Sequence, residues 1–224
     1  MSGHRYQRCD SGLGRYVLTD GTTQPIDLRG RVPQPYIAIE GPIGVGKTTL
    51  AKQLAELFDY QLLLEDAHEN PFLLKFYENR RQNALATQLF FLFQRVQKID
   101  DLKQQDLFRP LRIADFLIDK DPLFAQVNLD ADEYELYGKV YNQMTVDAPT
   151  PDLVIYLQAS VDRLLERIDR RGIASERTIS RQYLEELNEV YSEFFLYYDS
   201  APLLIVNANQ IDLVNRHEDF AQLV

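Results

Sequence analysis

One stretch of the chain has the residue types and the spacing of a phosphate-binding loop. Residues 36–50 read YIAIEGPIGVGKTTL, in which Gly41, Gly46, Lys47 and Thr48 fill the pattern G-x-x-x-x-G-K-[ST]. A short apolar run precedes the pattern and helical apolar spacing follows it, as the motif requires. Backbone N–H groups of such a loop surround phosphate oxygens, its lysine reaches the outer phosphates, and its hydroxyl is offered to Mg²⁺. The loop therefore predicts a nucleoside triphosphate site, held by Gly41, Pro42, Ile43, Gly44, Val45, Gly46, Lys47, Thr48 and Thr49.

Two carboxylates stand at the ends of other predicted strands. The apolar run at residues 60–64 is followed by Glu65, and the run at residues 111–116 ends near Asp115. Ligands of an open α/β sheet bind outside the carboxyl ends of its strands, so both acids are expected beside the phosphate loop. Glu65 is a candidate general base for an acceptor hydroxyl, although a solvated acid before the next helix explains it equally well. Asp115 is a candidate to hold Mg²⁺ together with Thr48.

A predicted long helix at residues 83–102 carries a polar pair inside an apolar sequence. Gln88 and Arg95 are seven residues apart, so they share one helical face, and the intervening LFFLF at residues 89–93 predicts a core helix. Buried polar groups need partners. Gln88 could offer its amide donor and acceptor to the edge of a base, while Arg95 orients a nearby acid. From the residues alone, however, a polar contact with a neighbouring helix is favoured.

Four arginines lie within eleven residues of this acidic chain: Arg167, Arg170, Arg171 and Arg177. A solvated loop with local pairing to Asp169 and Glu176 would explain them. Alternatively, the segment is a lid that closes over the triphosphate and supplies cations to the transferring phosphoryl group, with Gly172 as its hinge.

The elements that must position these residues alternate along the chain. Strands are predicted at residues 36–40, 60–64, 111–116, 153–157 and 203–206. Helices are predicted at 48–58, 71–78, 83–102, 161–171, 182–198 and 213–223, and helical material from about 119 to 144. Five strands alternating with helices indicate an α/β fold with a five-stranded parallel sheet and helices on both faces. We expect one domain at residues 35–224, preceded at 1–34 by a flexible extension with a small hairpin around residues 16–18.

Composition excludes several classes of function. The chain has 224 residues, of which 45% are hydrophobic and 26% charged, and its formal net charge is −10. This charge argues against a nucleic-acid or anionic-membrane partner. No apolar run approaches the length of a membrane span, and no signal-peptide core is present. The single cysteine, Cys9, fits a cytoplasmic location.

The joint spacing of these residues resembles the deoxynucleoside kinase family, and most of all its bacterial branch, over residues 36–213. GPIGVGKTT resembles the opening loop of the family, and Glu65, which stands before ENPFL, falls where the family keeps its catalytic carboxylate. Tyr77, Gln88 and Arg95 reproduce a tyrosine, a glutamine eleven residues on and an arginine seven beyond it. In the family these residues contact the sugar 3′-hydroxyl, pair with the base and support the base pocket.

The predicted lid resembles the family as well. Arg167 and Arg171 match its phosphate-binding arginines, and Glu176 matches an acid that also contacts the 3′-hydroxyl. The resemblance implies that Lys47, Glu65, Arg167 and Arg171 are catalytic. It also implies that Asp115 lies against the substrate as well as the metal.

Two features depart from the family pattern. After the third strand the family has an acid followed by Arg-Ser, whereas this chain has Asp115, Phe116 and Leu117. The arginine that steadies the 5′-oxygen is therefore missing, and we hypothesise that Lys120, one turn along, replaces it. Ile173 occupies the place of a third lid arginine.

The resemblance implies transfer of the γ-phosphoryl group of ATP, with Mg²⁺, to the 5′-hydroxyl of a deoxynucleoside. A purine base is expected from the bacterial branch, and a homodimer from the family. One alternative is a nucleoside monophosphate kinase, whose acceptor phosphate could use Arg80, Arg81 and Arg95. The other is a non-catalytic ATP-binding regulatory protein, which would have no use for Glu65 or for a polar pair in an apolar helix.

Overall fold

A single sheet of parallel strands positions the phosphate loop. The computed structural model describes residues 15–17, 36–104, 111–145 and 148–211. The strands are β1 Arg15–Val17, β2 Tyr36–Glu40, β3 Gln61–Leu63, β4 Arg112–Ala114, β5 Leu153–Gln158 and β6 Leu203–Asn207. Their order in the sheet is β1-β6-β5-β2-β4-β3, and every pair is parallel. Strand β2 is central, where its Ala38 pairs with Ala114 on one side and Val154 on the other.

The five predicted strands are confirmed, with bounds that shift by one to two residues at several ends. The sheet has a sixth strand, β1, which pairs with β6 at the edge. This strand lies in the segment where we expected a flexible extension with a hairpin. The remainder of residues 1–34 lies outside the described residues, so the division of the chain at residue 34 stays a prediction.

Seven α-helices connect the strands within the described residues. They are α1 Lys47–Phe58, α2 Leu73–Glu78, α3 Arg80–Gln104, α4 Asp121–Asn128, α5 Ala131–Met144, α6 Val161–Arg171 and α7 Arg181–Tyr197. Parallel strands need right-handed crossovers. Because the chain moves from β2 to β3 in one direction and then back through β4 and β5, α1 and the later helices lie on opposite faces. The predicted closing helix at 213–223 lies outside the described residues.

The helical material predicted at residues 119–144 consists of separate helices. A short 3₁₀ turn at Ile118–Lys120 leads into α4, and the chain leaves the helix before α5 begins. Asp130 caps α5, because its carboxylate accepts the N–H of Glu133 at 3.0 Å while the Glu133 carboxylate accepts the N–H of Asp130 at 3.3 Å. This reciprocal capping box favours a new helix start over a continuous helix.

Helix α3 is central, but it is not apolar all round. Its buried face consists of Ala84, Thr87, Gln88, Leu92, Arg95 and Ile99. Phe93, by contrast, is 54% exposed, because the seven-residue spacing that buries Gln88 and Arg95 turns it away from the core. Gln88 and Arg95 therefore lie on the buried face of α3, and some apolar residues of the helix are exposed to solvent. None of the helices in the described ranges has both the length and the apolarity to cross a membrane.

Candidate active site

A cavity of about 730 Å³ opens at the carboxyl ends of the central strands. Its walls come from the phosphate loop and the start of α1, the segment after β3, the buried face of α3 and the segment that follows α6. The chain leaves β2 towards one edge of the sheet and later crosses to the other side. Such a change of direction is where open α/β sheets bind ligands.

The phosphate loop forms one end of the cavity. Its turn uses Gly44 and Gly46 at φ +83° and +109°, and helix α1 starts directly after it without a side-chain cap. The first N–H groups of α1 thus have no capping side chain and are available to an anion. Of the nine residues predicted to hold nucleotide, those that line the cavity are Ile43, Gly44, Lys47, Thr48 and Thr49.

Lys47 is turned back onto the loop. Its ammonium group donates to the carbonyl oxygens of Gly41 at 2.6 Å and Pro42 at 3.3 Å. Burial lowers the pKa of Lys47 to about 8, although the nearby Glu40 opposes this. Phosphate oxygens would restore the environment that favours its charged form.

Thr48 and Asp115 form a pair of oxygen ligands beside the loop. The Thr48 hydroxyl donates to Asp115 Oδ2 at 2.5 Å, and the backbone N–H of Glu65 donates to Asp115 Oδ1 at 2.7 Å. Burial raises the pKa of Asp115. Mg²⁺ in phosphoryl-transfer sites takes one or two protein oxygens and completes its shell with phosphate and water. The pair fits that requirement.

Glu65 lines the cavity between two cations, Arg95 and Lys120. Arg95 is paired with Glu65 and with Asp121, and the ammonium group of Lys120 is 3.6 Å from Glu65 Oε2. Burial alone would raise the pKa of Glu65, but the charges of Arg95 and Lys120 outweigh it and lower the pKa to about 2. Glu65 is consequently an anion throughout the physiological pH range.

A second buried carboxylate, Glu40, ends strand β2. Its oxygens accept the backbone N–H groups of Gly41 at 2.8 Å and Leu117 at 2.9 Å and the Tyr191 hydroxyl at 2.9 Å. The Lys120 ammonium is 3.3 Å away. Glu40 thereby links the loop to the segment after β4. Glu40 was not among the predicted site residues, although an acid inside an apolar strand is itself a signal.

The far end of the cavity combines polar and aromatic side chains. Gln88 is 3% exposed and lines this end, and no hydrogen bond joins its amide to another group among the described residues. Tyr77 lines it too, and burial raises the pKa of its phenol well above the usual value. Phe91 and Phe124 supply flat apolar surface. This composition suits a planar ring with polar edges.

The arginine segment after β5 contributes less to the cavity than the sequence suggested. Helix α6 ends at Gly172, which has φ +70°, and of the four arginines only Arg171 is among the cavity-lining residues. Arg171 pairs with Glu176, which also lines the cavity.

Arg167 lies behind the phosphate loop. Its guanidinium donates to the carbonyl oxygens of Val45 at 2.9 Å, Ala208 at 2.8 Å and Ile211 at 2.7 Å. In this arrangement Arg167 fixes the loop against the segment after β6, and a contact with phosphate would require these bonds to exchange. Its catalytic role stays a prediction.

Comparison with known proteins agrees with this geometry. The family model described as deoxynucleoside kinase matches residues 37–224. The chain belongs to the deoxynucleoside kinase family. A deoxyguanosine kinase of Bacillus subtilis (strain 168) is 37% identical over 195 residues, which cover 84% of this chain and 94% of that protein. A deoxyadenosine/deoxycytidine kinase of the same organism is 29% identical over 198 residues, covering 84% and 89% of the two chains.

Solved structures give the same result for the deoxynucleoside kinase fold. A deoxyadenosine kinase from M. mycoides with the products dCMP and a flexible dCDP bound has a TM-score of 0.71 and 30% identity, covering 80% of this chain and 92% of its own. The same enzyme with bound dATP has a TM-score of 0.70 and 28% identity. The predicted phosphate-loop kinase fold is therefore confirmed.

Some residues of this kinase site were missed in the sequence. Asp121 is fully buried and holds Arg95 from the side opposite Glu65, and Thr87 lines the cavity next to Gln88. The spacing of Gln88 and Arg95 predicted one helical face, but it could not show which acid would meet Arg95. That contact joins α3 to α4, which are distant in sequence.

Proposed function

We propose that this protein transfers the γ-phosphoryl group of ATP to the 5′-hydroxyl of a deoxynucleoside, with a preference for purine bases. The observation that carries the proposal is a single cavity that joins the phosphate loop, an anionic Glu65 and the buried amide of Gln88. A donor site and a nucleoside-sized acceptor site thus meet at a carboxylate.

The phosphate loop holds the donor. Its N–H groups and the N-terminus of α1 surround the phosphates, and the Lys47 ammonium moves from the loop carbonyls to the outer phosphate oxygens. Thr48 and Asp115 would hold Mg²⁺, which neutralises charge on the phosphates when bound. Arg171 adds a cation from the opposite wall.

Glu65 acts on the acceptor. Phosphoryl transfer passes through a loose transition state, so the main task is to place the attacking oxygen in line and accept its proton late. A carboxylate held by Arg95 and Lys120 has a fixed orientation and remains ionised, which serves both purposes. Lys120 serves in place of the missing arginine in this proposal, which is supported by the position of its ammonium between Glu40 and Glu65.

Recognition of the nucleoside uses the remaining walls. Tyr77 and Glu176 contact the sugar, and Gln88 forms hydrogen bonds with the edge of the base. The purine preference is supported by the names of the relatives, which are deoxyguanosine and deoxyadenosine kinases. Gln88 alone does not select a base, because its amide can turn over to serve either donor–acceptor pattern.

The proposal extends to assembly and location. We infer a homodimer, supported by exposed apolar side chains on helices that pack together, namely Phe93 on α3 and Tyr134 and Leu136 on α5. A cytoplasmic location is supported by the single cysteine.

A coupled ADP-release assay with the four deoxynucleosides and their monophosphates tests the activity. We expect turnover with deoxyguanosine or deoxyadenosine and none with the monophosphates. Turnover confined to monophosphates would establish the rival kinase class, and ATP binding without any turnover would establish a regulatory protein.

Glu65→Gln tests the mechanism separately. Removal of one group that acts in the transition state costs roughly 10² to 10³ in rate. We expect kcat to fall by that factor while the KM for the nucleoside changes little. A kcat near the wild-type value, in a variant whose thermal unfolding is unchanged, would remove Glu65 from the mechanism.

A further inference from the structure

Glu40 ends strand β2 with a side chain that is 0% exposed, and each of its two oxygens meets two donors. Oε1 accepts the N–H of Gly41 at 2.8 Å and the hydroxyl of Tyr191 at 2.9 Å. Oε2 accepts the N–H of Leu117 at 2.9 Å and lies 3.3 Å from the ammonium group of Lys120. A carboxylate offers about four acceptor positions and no donor, so the protein uses the whole hydrogen-bonding capacity of this group.

The four donors around Glu40 come from separate parts of the molecule. Gly41 begins the phosphate loop, Leu117 and Lys120 lie between β4 and α4, and Tyr191 lies on α7. One buried carboxylate thus fixes the loop that holds the donor against the segment that faces the acceptor. A buried ion pair stabilises a fold little compared with apolar packing. Its presence here therefore indicates a role in the site rather than in the core.

Lys120 connects Glu40 to the reacting groups. Its ammonium is 3.3 Å from Glu40 and 3.6 Å from Oε2 of Glu65. Lys120 and Glu65 both line the cavity, whereas Glu40 is buried behind it. Without Glu40, the ammonium would pair with Glu65 alone and would compete for the oxygen that takes the acceptor proton. Glu40 is thus placed to act on the reaction without contacting a substrate.

We propose that Glu40 is a positioning residue for phosphoryl transfer, which acts on Glu65 through Lys120 and is itself oriented by Tyr191. This inference rests on the proposed deoxynucleoside kinase function. A residue of this kind aligns the attacking oxygen and its base, and it leaves the binding of both substrates nearly unchanged. Its loss should therefore appear in kcat rather than in KM.

A double-mutant cycle of Glu40→Gln and Lys120→Met tests the connection. Glu40→Gln keeps the shape of the side chain but turns an NH₂ group towards donors in either orientation of the amide. We expect kcat to fall roughly 10- to 100-fold, with the KM for ATP and for the nucleoside within about threefold of wild type. In the Lys120→Met background the same substitution should change kcat by less than about twofold, because the residue through which Glu40 acts is gone.

Thermal unfolding of the four proteins separates catalysis from stability. Glu40→Gln leaves the Lys120 ammonium with one carboxylate, so its Tm should fall, and Lys120→Met should restore part of it. Recovery of kcat together with Tm in the double variant would overturn the inference. Equal losses of kcat in the two backgrounds, or a kcat of Glu40→Gln within twofold of wild type, would overturn it as well. Wild-type protein that turns over no deoxynucleoside would overturn the proposed function, and this inference with it.

Tyr191→Phe decides the question if Glu40→Gln does not fold, because it removes one donor and keeps the ring. We expect kcat to fall about 3- to 10-fold, the effect of one buried hydrogen bond, with both KM values within about twofold. Tyr156→Phe is the matched control. Its ring lies parallel to that of Tyr191 at 6.1 Å, but its hydroxyl is bonded to Gln158 and Ser192, so kcat should stay within about twofold. Equal losses in the two phenylalanine variants would overturn the role of Glu40.

Discussion

At the scale of single residues, the site depends on a lysine between two carboxylates. Lys120 is 1% exposed, and its ammonium is within 3.6 Å of both Glu40 and Glu65. A buried ammonium group without a partner is costly, whereas two nearby carboxylates compensate its charge. The lysine in turn favours the ionised form of Glu65. The two acids and the lysine therefore stabilise one another.

Lys120→Met should bring an acid limb, absent from the wild type in this range, into the pH–rate profile. Glu65 must be ionised to accept a proton, and in the native site its pKa is lowered to about 2, so activity is insensitive to its titration above about pH 4. Without Lys120 the effect of burial is less opposed and the pKa rises. Activity should then be lost as pH falls through a higher value, and kcat at pH 7.5 should fall roughly 10²-fold. The measurement is kcat/KM from pH 4.5 to 8.5.

Lys139→Met is the matched control for charge. Lys139 is 70% exposed at its side chain and pairs only with Glu135 on the same helix among the described residues, so its removal should leave the profile in place. A Lys120→Met enzyme with the wild-type profile and rate would show that the lysine is structural. Thermal unfolding of each variant separates this outcome from misfolding.

How far the sequence predicted the site differs from residue to residue. Glu65 and Asp115 were located because acids at strand ends converge in a parallel sheet, and Gln88 and Arg95 because seven residues complete two helical turns. Arg167 illustrates the limit. Its predicted phosphate contact stays a prediction, and its orientation depends on carbonyl groups of two distant segments, which no local pattern encodes.

At the scale of elements, the phosphate loop is confined by the neighbouring strand. Gly41 has φ +152°, and a Cβ placed there would lie 2.4 Å from the carbonyl oxygen of Leu157 on β5. That oxygen belongs to the backbone of a central strand, so it moves only if the sheet moves. At Gly46, with φ +109°, a Cβ would meet no atom of the described residues within 4 Å.

The two glycines should respond differently to alanine. Gly46→Ala adds backbone strain alone, which costs roughly 1–2 kcal/mol of unfolding free energy. Gly41→Ala adds overpacking to strain and should cost roughly 3–5 kcal/mol. Urea unfolding of both variants measures the difference. Equal losses would mean that the loop moves away from β5 without hindrance.

Element bounds were predictable where the signal is local. The strands are apolar runs, and their observed bounds differ from the predicted ones by at most two residues. Helix α6 begins and ends at the predicted residues. The break between α4 and α5 was missed, although Asp130 and Glu133 have the spacing of a capping box. The apolar spacing of the two helices continues across the break, so the spacing gave no indication that a new helix begins at Asp130.

At the scale of the whole molecule, the order of the strands brings the site together. Strand β4 inserts between β2 and β3, so Asp115 reaches Thr48 on one side and the Glu65 backbone on the other. Spacing along the chain predicted the strands but not this order, because strand pairing depends on contacts between distant segments. For the same reason β1, three residues long, was not predicted as part of the sheet.

Assembly of two molecules should cover an apolar surface on α3 and α5. Phe93 is 54% exposed and Leu136 51% exposed, on two helices that pack against each other. Contiguous exposed apolar surface is typical of protein interfaces, and we predict that these two side chains belong to such a surface. A charge buried in the core of an interface costs at least about 2 kcal/mol, so Phe93→Glu and Leu136→Glu should each weaken a dimer roughly 30-fold or more.

Sedimentation velocity over a range of micromolar concentrations tests this assembly. Wild-type protein should sediment as a dimer, and the Phe93→Glu and Leu136→Glu variants should dissociate as they are diluted. Tyr197→Glu supplies the control, because Tyr197 is 73% exposed on α7 and its replacement adds the same charge to an exposed aromatic position elsewhere. A wild-type protein that remains monomeric at the highest concentration would refute the dimer. Dissociation of the Tyr197 variant alone would instead place the interface on α7, since only a buried charge has this effect.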